Sequence, residues 1–381
     1  MLQRMRDKFR HLEWVILDEV SMISYEVFRQ IDQRLRDCFD SEIAFGGKNI
    51  ICVGDLFQLE PVNGHCIYET PQLFLGEENI WHTFDFRELL INMPQGRDPL
   101  LQICNNLREG NLTTEDLETL RTREFTDNES SSPQVKEMQE KFRDAIRIYP
   151  TRAQTTHHNR LRTRQILNDP SKTVYKIRAR DTFNSGAKLG CQAPPSRSSR
   201  DSNKCGGFLP NIELAVGSKI MVIRNSTTNR YLVNGSMGTI VGFTWNMLAR
   251  EQHHIGDLPE SVQVKFDDPR ICGGTDGVYS LCPEEVVYNN GRGSEEIRRR
   301  MLPIVLCWAV TVHKVQGITV DLAVVYLGPE LFAHGQAYVA LSRVRTLNGV
   351  AILQQDDTKL CKSPNPKLVK EMERLREKLS N

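Results

Sequence analysis

Apolar and polar positions fall along this chain in two textures. In the first, short unbroken apolar runs alternate with segments of helical period. Trp14-Val15-Ile16-Leu17 is such a run, and a continuous apolar run predicts a strand buried on both faces, as in parallel sheets. Helices are predicted on either side, over residues 1–12 and 21–38. In the second of these, Val27, Ile31 and Leu35 recur at helical spacing and mark a core-facing stripe. Another buried strand follows at Asn49-Ile50-Ile51-Cys52-Val53. Asp98-Pro99 starts a helix, with Asp as cap and Pro in the first turn, and Gly110 ends it. Thr113 and Thr114 cap the next, which runs to about Arg123. Residues 127–134 read as a polar loop, 145–149 as a short strand and 153–167 as a polar helix. The Ser-, Gly-, Pro- and Arg-rich stretch 184–207 predicts a mobile loop.

The second texture begins at Lys219. Residues 219–224, 238–243, 261–266, 277–281 and 285–288 are short β-like runs with turn residues between them. Such a series predicts a small antiparallel barrel inserted in a larger α/β unit. The first texture then returns. Residues 303–312 predict a strand leading into His313-Lys314-Val315-Gln316-Gly317, 322–327 another strand, 335–344 a helix and 350–353 a closing strand. From Thr358 the chain is charged and helix-prone, with no evident chemistry. No solenoid-type repeat occurs.

Composition narrows the classes. A length of 381 residues predicts two or three domains at ~150 residues each. Hydrophobic content of 39% and charged content of 25% are those of a soluble globular protein. A net charge of +1 carries no global signature of nucleic-acid binding, although a local basic groove is compatible with it. The ten cysteines include no C-x-x-C pair and no zinc-spaced Cys/His cluster, which argues against a zinc module and fits a reducing compartment. The pairs His157-His158 and His253-His254 lack suitably spaced partners and read as surface residues. No apolar run approaches the ~18 residues of a membrane span. Residues 1–10 are basic, without the apolar segment of a secretory signal. They read as the exposed face of a helix already under way, so sequence is expected upstream.

Candidate chemistry sits where the apolar runs stop. Asp18 and Glu19 follow the first strand, and parallel sheets bind ligands beyond the carboxyl ends of their strands. Two acids there suit Mg²⁺ on a nucleotide and the orientation of an attacking water; the alternative is a strand ending in solvated acids. The second strand repeats the arrangement with Asp55, and adds Gln58 within reach. Gln316 and Gly317 lie where a strand gives way to a helix, a place for phosphate contact through backbone N–H groups.

Five ordered segments carry a resemblance: Leu17-Asp18-Glu19-Val20-Ser21-Met22; Gly54-Asp55-Leu56-Phe57-Gln58-Leu59; Leu232-Val233-Asn234-Gly235-Ser236-Met237-Gly238; 308–317, from Trp308 to Gly317; and 335–345, from Gly335 through Ala340-Leu341-Ser342-Arg343 to Arg345. Together they resemble the PIF-type (petite integration frequency) DNA helicases of superfamily 1B, a group that includes Helitron-type helicases. The resemblance implies an α/β fold: two RecA-like P-loop NTPase domains, the first incomplete, with a small SH3-like β-barrel insertion. The expected division is a partial first domain at 1–95, a second domain at 96–236 and 301–357, the insertion at 237–300 and a charged tail at 358–381.

The resemblance also implies roles. Asp18 would coordinate Mg²⁺ and Glu19 would take the proton from the attacking water. Asp55 and Gln58 would sense the γ-phosphate, and Arg343 would reach across the cleft as an arginine finger, with Arg345 supporting its helix. Thr311, His313 and Lys314 would contact DNA phosphates. The implied cofactors are ATP and Mg²⁺, and the implied partners single-stranded and forked DNA. A monomer acting 5′ to 3′ in a nucleus or mitochondrion, in repair, recombination or telomere maintenance, completes the expectation. Two departures stand against it. No G-x-x-x-x-G-K-[ST] loop occurs in the chain; Gly46-Gly47-Lys48-Asn49 lacks the Ser or Thr and follows the carboxylate strand, so truncation is expected. The family's usual Arg is replaced by proline in Asn92-Met93-Pro94-Gln95, and nearby Arg97 has no warrant to replace it. A non-hydrolytic nucleic-acid-binding remnant is therefore the alternative.

Overall fold

A computed structural model of the protein describes residues 2–89, 98–126, 132–185, 188–192, 198–199, 201–227, 229–245, 257–271, 277–289 and 296–380. The chain opens with α1 (Leu2–Phe9), β1 (Trp14–Leu17), α2 (Tyr25–Phe39), β2 (Asn49–Cys52), α3 (Pro99–Glu109), α4 (Thr114–Arg121) and α5 (Pro133–Phe142). A strand-rich stretch follows: β3 (Ile146–Tyr149), α6 (Arg152–Leu167), β4 (Tyr175–Arg178), β5 (Arg180–Ser185), β6 (Lys188–Gln192), β7 (Asn211–Leu214), β8 (Lys219–Val222) and β9 (Met237–Thr244). It continues through β10 (Ser261–Phe266), β11 (Val278–Leu281), β12 (Glu284–Asn289), β13 (Glu296–Met301), β14 (Ile304–Leu306), β15 (Ala309–Thr311) and α7 (Val312–Val315). Last come β16 (Ala323–Leu327), α8 (Gln336–Ser342), β17 (Val350–Gln355), α9 (Asp357–Leu360) and α10 (Pro366–Ser380). Two compact units result, one of 1–143 with 319–381 and one of 144–318.

In the first unit β1 and β2 pair in parallel, Trp14 opposite Asn49 and Leu17 opposite Cys52, and β16 and β17 form a second parallel pair. The helix starts follow the capping residues. Asp98 accepts from the Leu100 amide with Pro99 in the first turn, and Gly110 closes α3 in the left-handed region. Thr113 and Asp116 form a reciprocal capping box on α4. Leu17, Ile50 and Cys52 face a core of Phe28, Phe45, Trp81, Leu368, Met372 and Leu375. The last three belong to α10, so the segment read as a charged tail supplies part of this core. The indole N–H of Trp81 donates to Glu371 at 2.7 Å.

Two expectations are corrected here. The opening strand is not buried on both faces: Trp14 is 55% and Ile16 66% exposed, and Ile51 and Val53 are exposed beside them. Side chains alternate across a strand, and only the Val15–Leu17 side meets the core. The stripe of α2 holds only in part: Ile31 and Leu35 pack against this core. Tyr25, Phe28, Asp32 and Cys38 are its buried positions, whereas Val27 is exposed.

The second unit is mostly antiparallel. One sheet has the order β11-β10-β9-β8-β14, another β12-β13-β5-β6, and β4 pairs with β7. The strands of 237–300 thus pair with β5 and β8, which lie outside that range, and β8 pairs in turn with β14. The core of this unit gathers Ile177, Phe208, Leu214, Ile220, Ile240, Val262, Val264 and Ile304. Where 184–207 was read as a mobile loop, the described part includes the end of β5 and β6, which pair antiparallel. The strand expected over 303–312 is broken into β14 and β15 and then turns into α7. β15 runs parallel to β3, with Ala309 opposite Arg147. The polar loop expected at 127–134 is cut short by α5, which starts at Pro133; its first residues, and the His253-His254 pair, lie outside the described residues. Among the described residues no helix is long and apolar enough to cross a membrane.

Candidate active site

β1 and β2 end side by side. The Val53 amide donates to the Leu17 carbonyl at 2.8 Å, and the Val20 amide to the Val53 carbonyl at 3.1 Å. The two apolar runs therefore deliver Asp18-Glu19 and Gly54-Asp55 to one edge. Glu19 has φ 53° and ψ 49°, a left-handed conformation that costs a non-glycine residue about 1–3 kcal/mol and concentrates at functional sites. In this turn the Glu19 amide donates to the Asp18 carboxylate at 2.8 Å. Gly54 permits the close approach, because a Cβ there would lie 2.8 Å from the Val20 amide nitrogen.

Asp55 is heavily engaged. It accepts from the Phe57 amide at 3.1 Å and from the Tyr338 hydroxyl at 2.8 Å. Arg108, in the last turn of α3, donates through Nε at 3.2 Å to both carboxylate oxygens and through Nη2 at 3.1 Å. The Arg108 guanidinium also lies 4.5 Å from the Phe57 ring centroid. Burial opposes the charge on Arg108, but the Asp55 carboxylate outweighs it and raises its pKa. Burial, then the charge of Asp55, pushes the Tyr338 phenol upward.

α8 begins against this loop. Gly335 has φ 79°, and a Cβ there would lie 2.7 Å from the Phe57 carbonyl oxygen and 2.8 Å from that of Gln58. Arg343 caps the other end of α8, its Nε donating to the Val339 carbonyl at 3.2 Å and its Nη2 to the Ser342 hydroxyl at 2.9 Å. Burial lowers its pKa, against the opposing pull of Tyr338, Glu19, Cys104 and Asp55. Among the described residues no salt bridge to Arg343 is formed. Arg343 falls in the same compact unit as the carboxylates. Arg345 pairs with Asp321 at 2.7 Å.

Gln58 Oε1 and Ser21 Oγ are among the buried polar atoms of this unit without a hydrogen-bond partner, which in a native fold calls for a ligand or water. Among the described residues no group of three or more His, Cys, Asp or Glu is disposed to hold a metal ion. Asp18 and Glu19 therefore do not make a self-sufficient cage. They fit Mg²⁺, which takes one or two carboxylates and completes its shell with water and substrate phosphate.

The other predicted residues lie in the second unit. Thr311 ends β15 and precedes α7, which holds His313 and Lys314; Gln316 and Gly317 follow, with Gly317 at φ 75°. Asn159 of α6 pins this strand through its side-chain amide, donating to the Ala309 carbonyl at 2.9 Å and accepting from the Ala309 amide at 2.9 Å. Burial and then Arg152 hold the His313 imidazole below its ordinary pKa. Protein crowding and then Arg152 do the same to the Lys314 ammonium, although that side chain as a whole is exposed. The structure thus brings Asp18, Glu19, Asp55, Gln58 and Arg343 into one unit and Thr311, His313, Lys314, Gln316 and Gly317 into the other. Pro94 and Arg97 lie outside the described residues. Sequence reasoning missed Arg108, Tyr338 and Arg152. Tyr338 stood inside a quoted motif; Arg108 and Arg152 belong to no motif and carry no local signal.

Comparison with known proteins adds to this geometry. A family model described as PIF1-like helicase matches residues 2–111. The human protein named ATP-dependent DNA helicase PIF1 is 28% identical over 92% of this chain and 47% of its own length. The chain spans about half the length of the curated relatives it matches. The crystal structure of Pif1 helicase from Candida albicans superposes with a TM-score of 0.72 at 22% identity, covering 98% of this chain and 79% of that one. That of Pif1 helicase from Bacteroides in complex with ADP-AlF3 and ssDNA gives a TM-score of 0.66 at 23% identity, over 98% and 77%. These likenesses show the fold, a RecA-like α/β architecture.

Proposed function

We propose that this chain, which is similar to the PIF1-like helicases, carries the core of an ATP-dependent DNA helicase, which couples nucleotide hydrolysis to movement along a single strand and to opening of forked DNA, 5′ to 3′. One observation carries the reading. Residues distant in sequence and of complementary charge, Asp18, Glu19, Asp55 and Arg343, gather in one unit, and Arg343 feels the charges of Glu19 and Asp55 while making no ion pair among the described residues. Phosphoryl transfer depends on positioning and on neutralising charge that develops on the phosphate. In this arrangement Asp18 helps hold Mg²⁺, which when bound offsets phosphate charge. Glu19, bent out of its strand by its left-handed backbone, accepts the proton of the attacking water. Gln58, whose buried amide oxygen has no partner, orients that water, and Arg343 meets the transferred phosphoryl group. Thr311, His313, Lys314 and Arg152 contact the phosphates of the DNA strand, with Gln316 and Gly317 beside them. Roles in repair, recombination or telomere maintenance, inside a nucleus or mitochondrion, go with that activity.

The test is ATP hydrolysis with and without single-stranded DNA. We expect DNA to stimulate turnover and Glu19→Gln to lower it by about 10²–10⁴-fold, the contribution of a general base. Undiminished turnover in that variant would sink the assignment. A second reading, a non-hydrolytic single-strand-binding protein, is favoured by the lack of any G-x-x-x-x-G-K-[ST] sequence in these 381 residues. It predicts salt-sensitive DNA binding without hydrolysis.

A further inference from the structure

Asp55 was assigned by resemblance to the nucleotide, yet its carboxylate has little left to offer one. An ionised carboxylate presents about four acceptor sites. The Phe57 amide, the Tyr338 hydroxyl and the Nε and Nη2 of Arg108 supply donors for all of them. The donors come from three elements: the loop after β2, α3 and α8. α8 has only seven residues, too short to be stable alone, so its place depends on tertiary ties. Two such ties lead to the same loop. The α-carbon of Gly335 packs onto the Phe57 and Gln58 carbonyls, and one turn later Tyr338 reaches Asp55. Arg343 follows five residues after Tyr338 and folds back along its own helix to Val339 and Ser342, so wherever α8 is fixed, the guanidinium is fixed with it.

We propose that Asp55 is a positioning residue: it binds no nucleotide but ties α3 through Arg108, and α8 through Tyr338, to the end of β2, and so fixes the helix that carries Arg343. Resting on the hydrolase reading, this moves nucleotide sensing in the loop to Gln58, whose buried Oε1 has no partner. Arg108 is the counter-charge that orients the Asp55 carboxylate towards Tyr338, and Phe57 is the surface on which that guanidinium lies.

The test uses the full 381-residue chain with Tyr338→Phe, Asp55→Asn and both together. Two properties are followed: amide hydrogen exchange over 335–343, and kcat and KM for ATP with single-stranded DNA present. Tyr338→Phe keeps the ring and removes one hydrogen bond. It is expected to raise exchange in α8 and to lower kcat by about tenfold, the effect of one such bond on a barrier. KM should stay within about twofold, because uniform nucleotide binding is untouched. Asp55→Asn should do the same, and the double variant should be no worse than the worse single one. Where Asp55→Asn fails to fold, Tyr338→Phe carries the test by itself. Unchanged exchange and kcat in Tyr338→Phe would overturn the proposal, as would a KM that rises in Asp55→Asn while Tyr338→Phe remains normal. A parent chain without turnover would sink the hydrolase reading alone, and the exchange data would still decide whether Asp55 holds α8.

Discussion

The protein contains the same small constellation twice, once in each compact unit. In the first, Asp55 receives a forked pair from Arg108 and a hydroxyl from Tyr338. In the second, Asp181 receives a fork from Arg299, at 2.8 Å on each oxygen, and a hydroxyl from Tyr288 at 3.1 Å. The surroundings differ. Arg299 and Asp181 have side chains 1% and 7% exposed, and Arg299 also donates to the Phe208 and Ser199 carbonyls. Arg108 and Asp55 are 21% and 17% exposed, beside buried polar atoms that lack partners. Buried in this way, the Asp181 cluster joins β5, β12 and β13 to one another and to the Ser199 and Phe208 backbone. At the rim of the acid-bearing edge, the Asp55 cluster holds elements that carry reactive groups. The same hydrogen bonds are architecture in one place and part of a site in the other, and burial decides which.

That contrast can be broken at its strongest point first. Arg343→Ala is expected to lower DNA-stimulated ATP turnover by about 10³–10⁵-fold, the range of an arginine finger, with the urea unfolding midpoint close to that of the parent. Retained turnover would make Arg343 a helix-end residue and would remove the difference between the two clusters. Asp181→Asn should act in the opposite sense. It leaves a buried guanidinium uncompensated and should cost about 3–5 kcal/mol in urea unfolding, while folded protein keeps its turnover per molecule.

The Asp181 cluster also predicts a pH dependence. Burial opposes ionisation of Asp181, but the hydrogen bonds and charge of Arg299 hold its pKa below the ordinary carboxylate value. Its stabilisation is therefore complete above that value and is lost as pH falls through the folded-state pKa. The gap between parent and Asp181→Asn should narrow below about pH 4. A gap that persists unchanged in acid would show that the carboxylate charge is not what holds the cluster.

The smallest effect concerns the basic group of the second unit. Lys314→Ala should weaken single-strand binding and reduce the magnitude of its log–log salt slope by about 0.7, the share of one phosphate contact on a single strand. An unchanged slope would mean that Lys314 faces no phosphate.

Much of the local structure was legible in the residue pattern. Asp98-Pro99 and Gly110 bounded α3 to within a residue, and Thr113 capped α4. The apolar runs before Asp18 and Gly54 became parallel neighbours. These signals are local: a cap, a proline or a continuous apolar run acts on its own few residues. The failures were equally instructive. In α2 the period places Val27, Ile31 and Leu35 on the core; Ile31 and Leu35 do pack there, whereas Val27 is exposed and Phe28 is buried, because adjacent positions in the first turn look equally helical. The tail from Thr358 reads only as charged and helix-prone, yet Leu368, Met372 and Leu375 enter a core built by residues far earlier in the chain. No period within α10 tells which surface waits for it.

The order of residues by itself determined the strand-end carboxylates, the five motifs and the resemblance they carry, because each of these is written in contiguous residues whose chemistry does not depend on what they touch. Only the tertiary structure decided that Asp55 is spent on Arg108 and Tyr338, that Glu19 sits in a left-handed turn supported by Gly54, and that Arg343 shares a unit with both acids. Those facts depend on burial and on donors 53 and 283 residues away. A carboxylate becomes a ligand or a brace according to which of its acceptor sites are already filled.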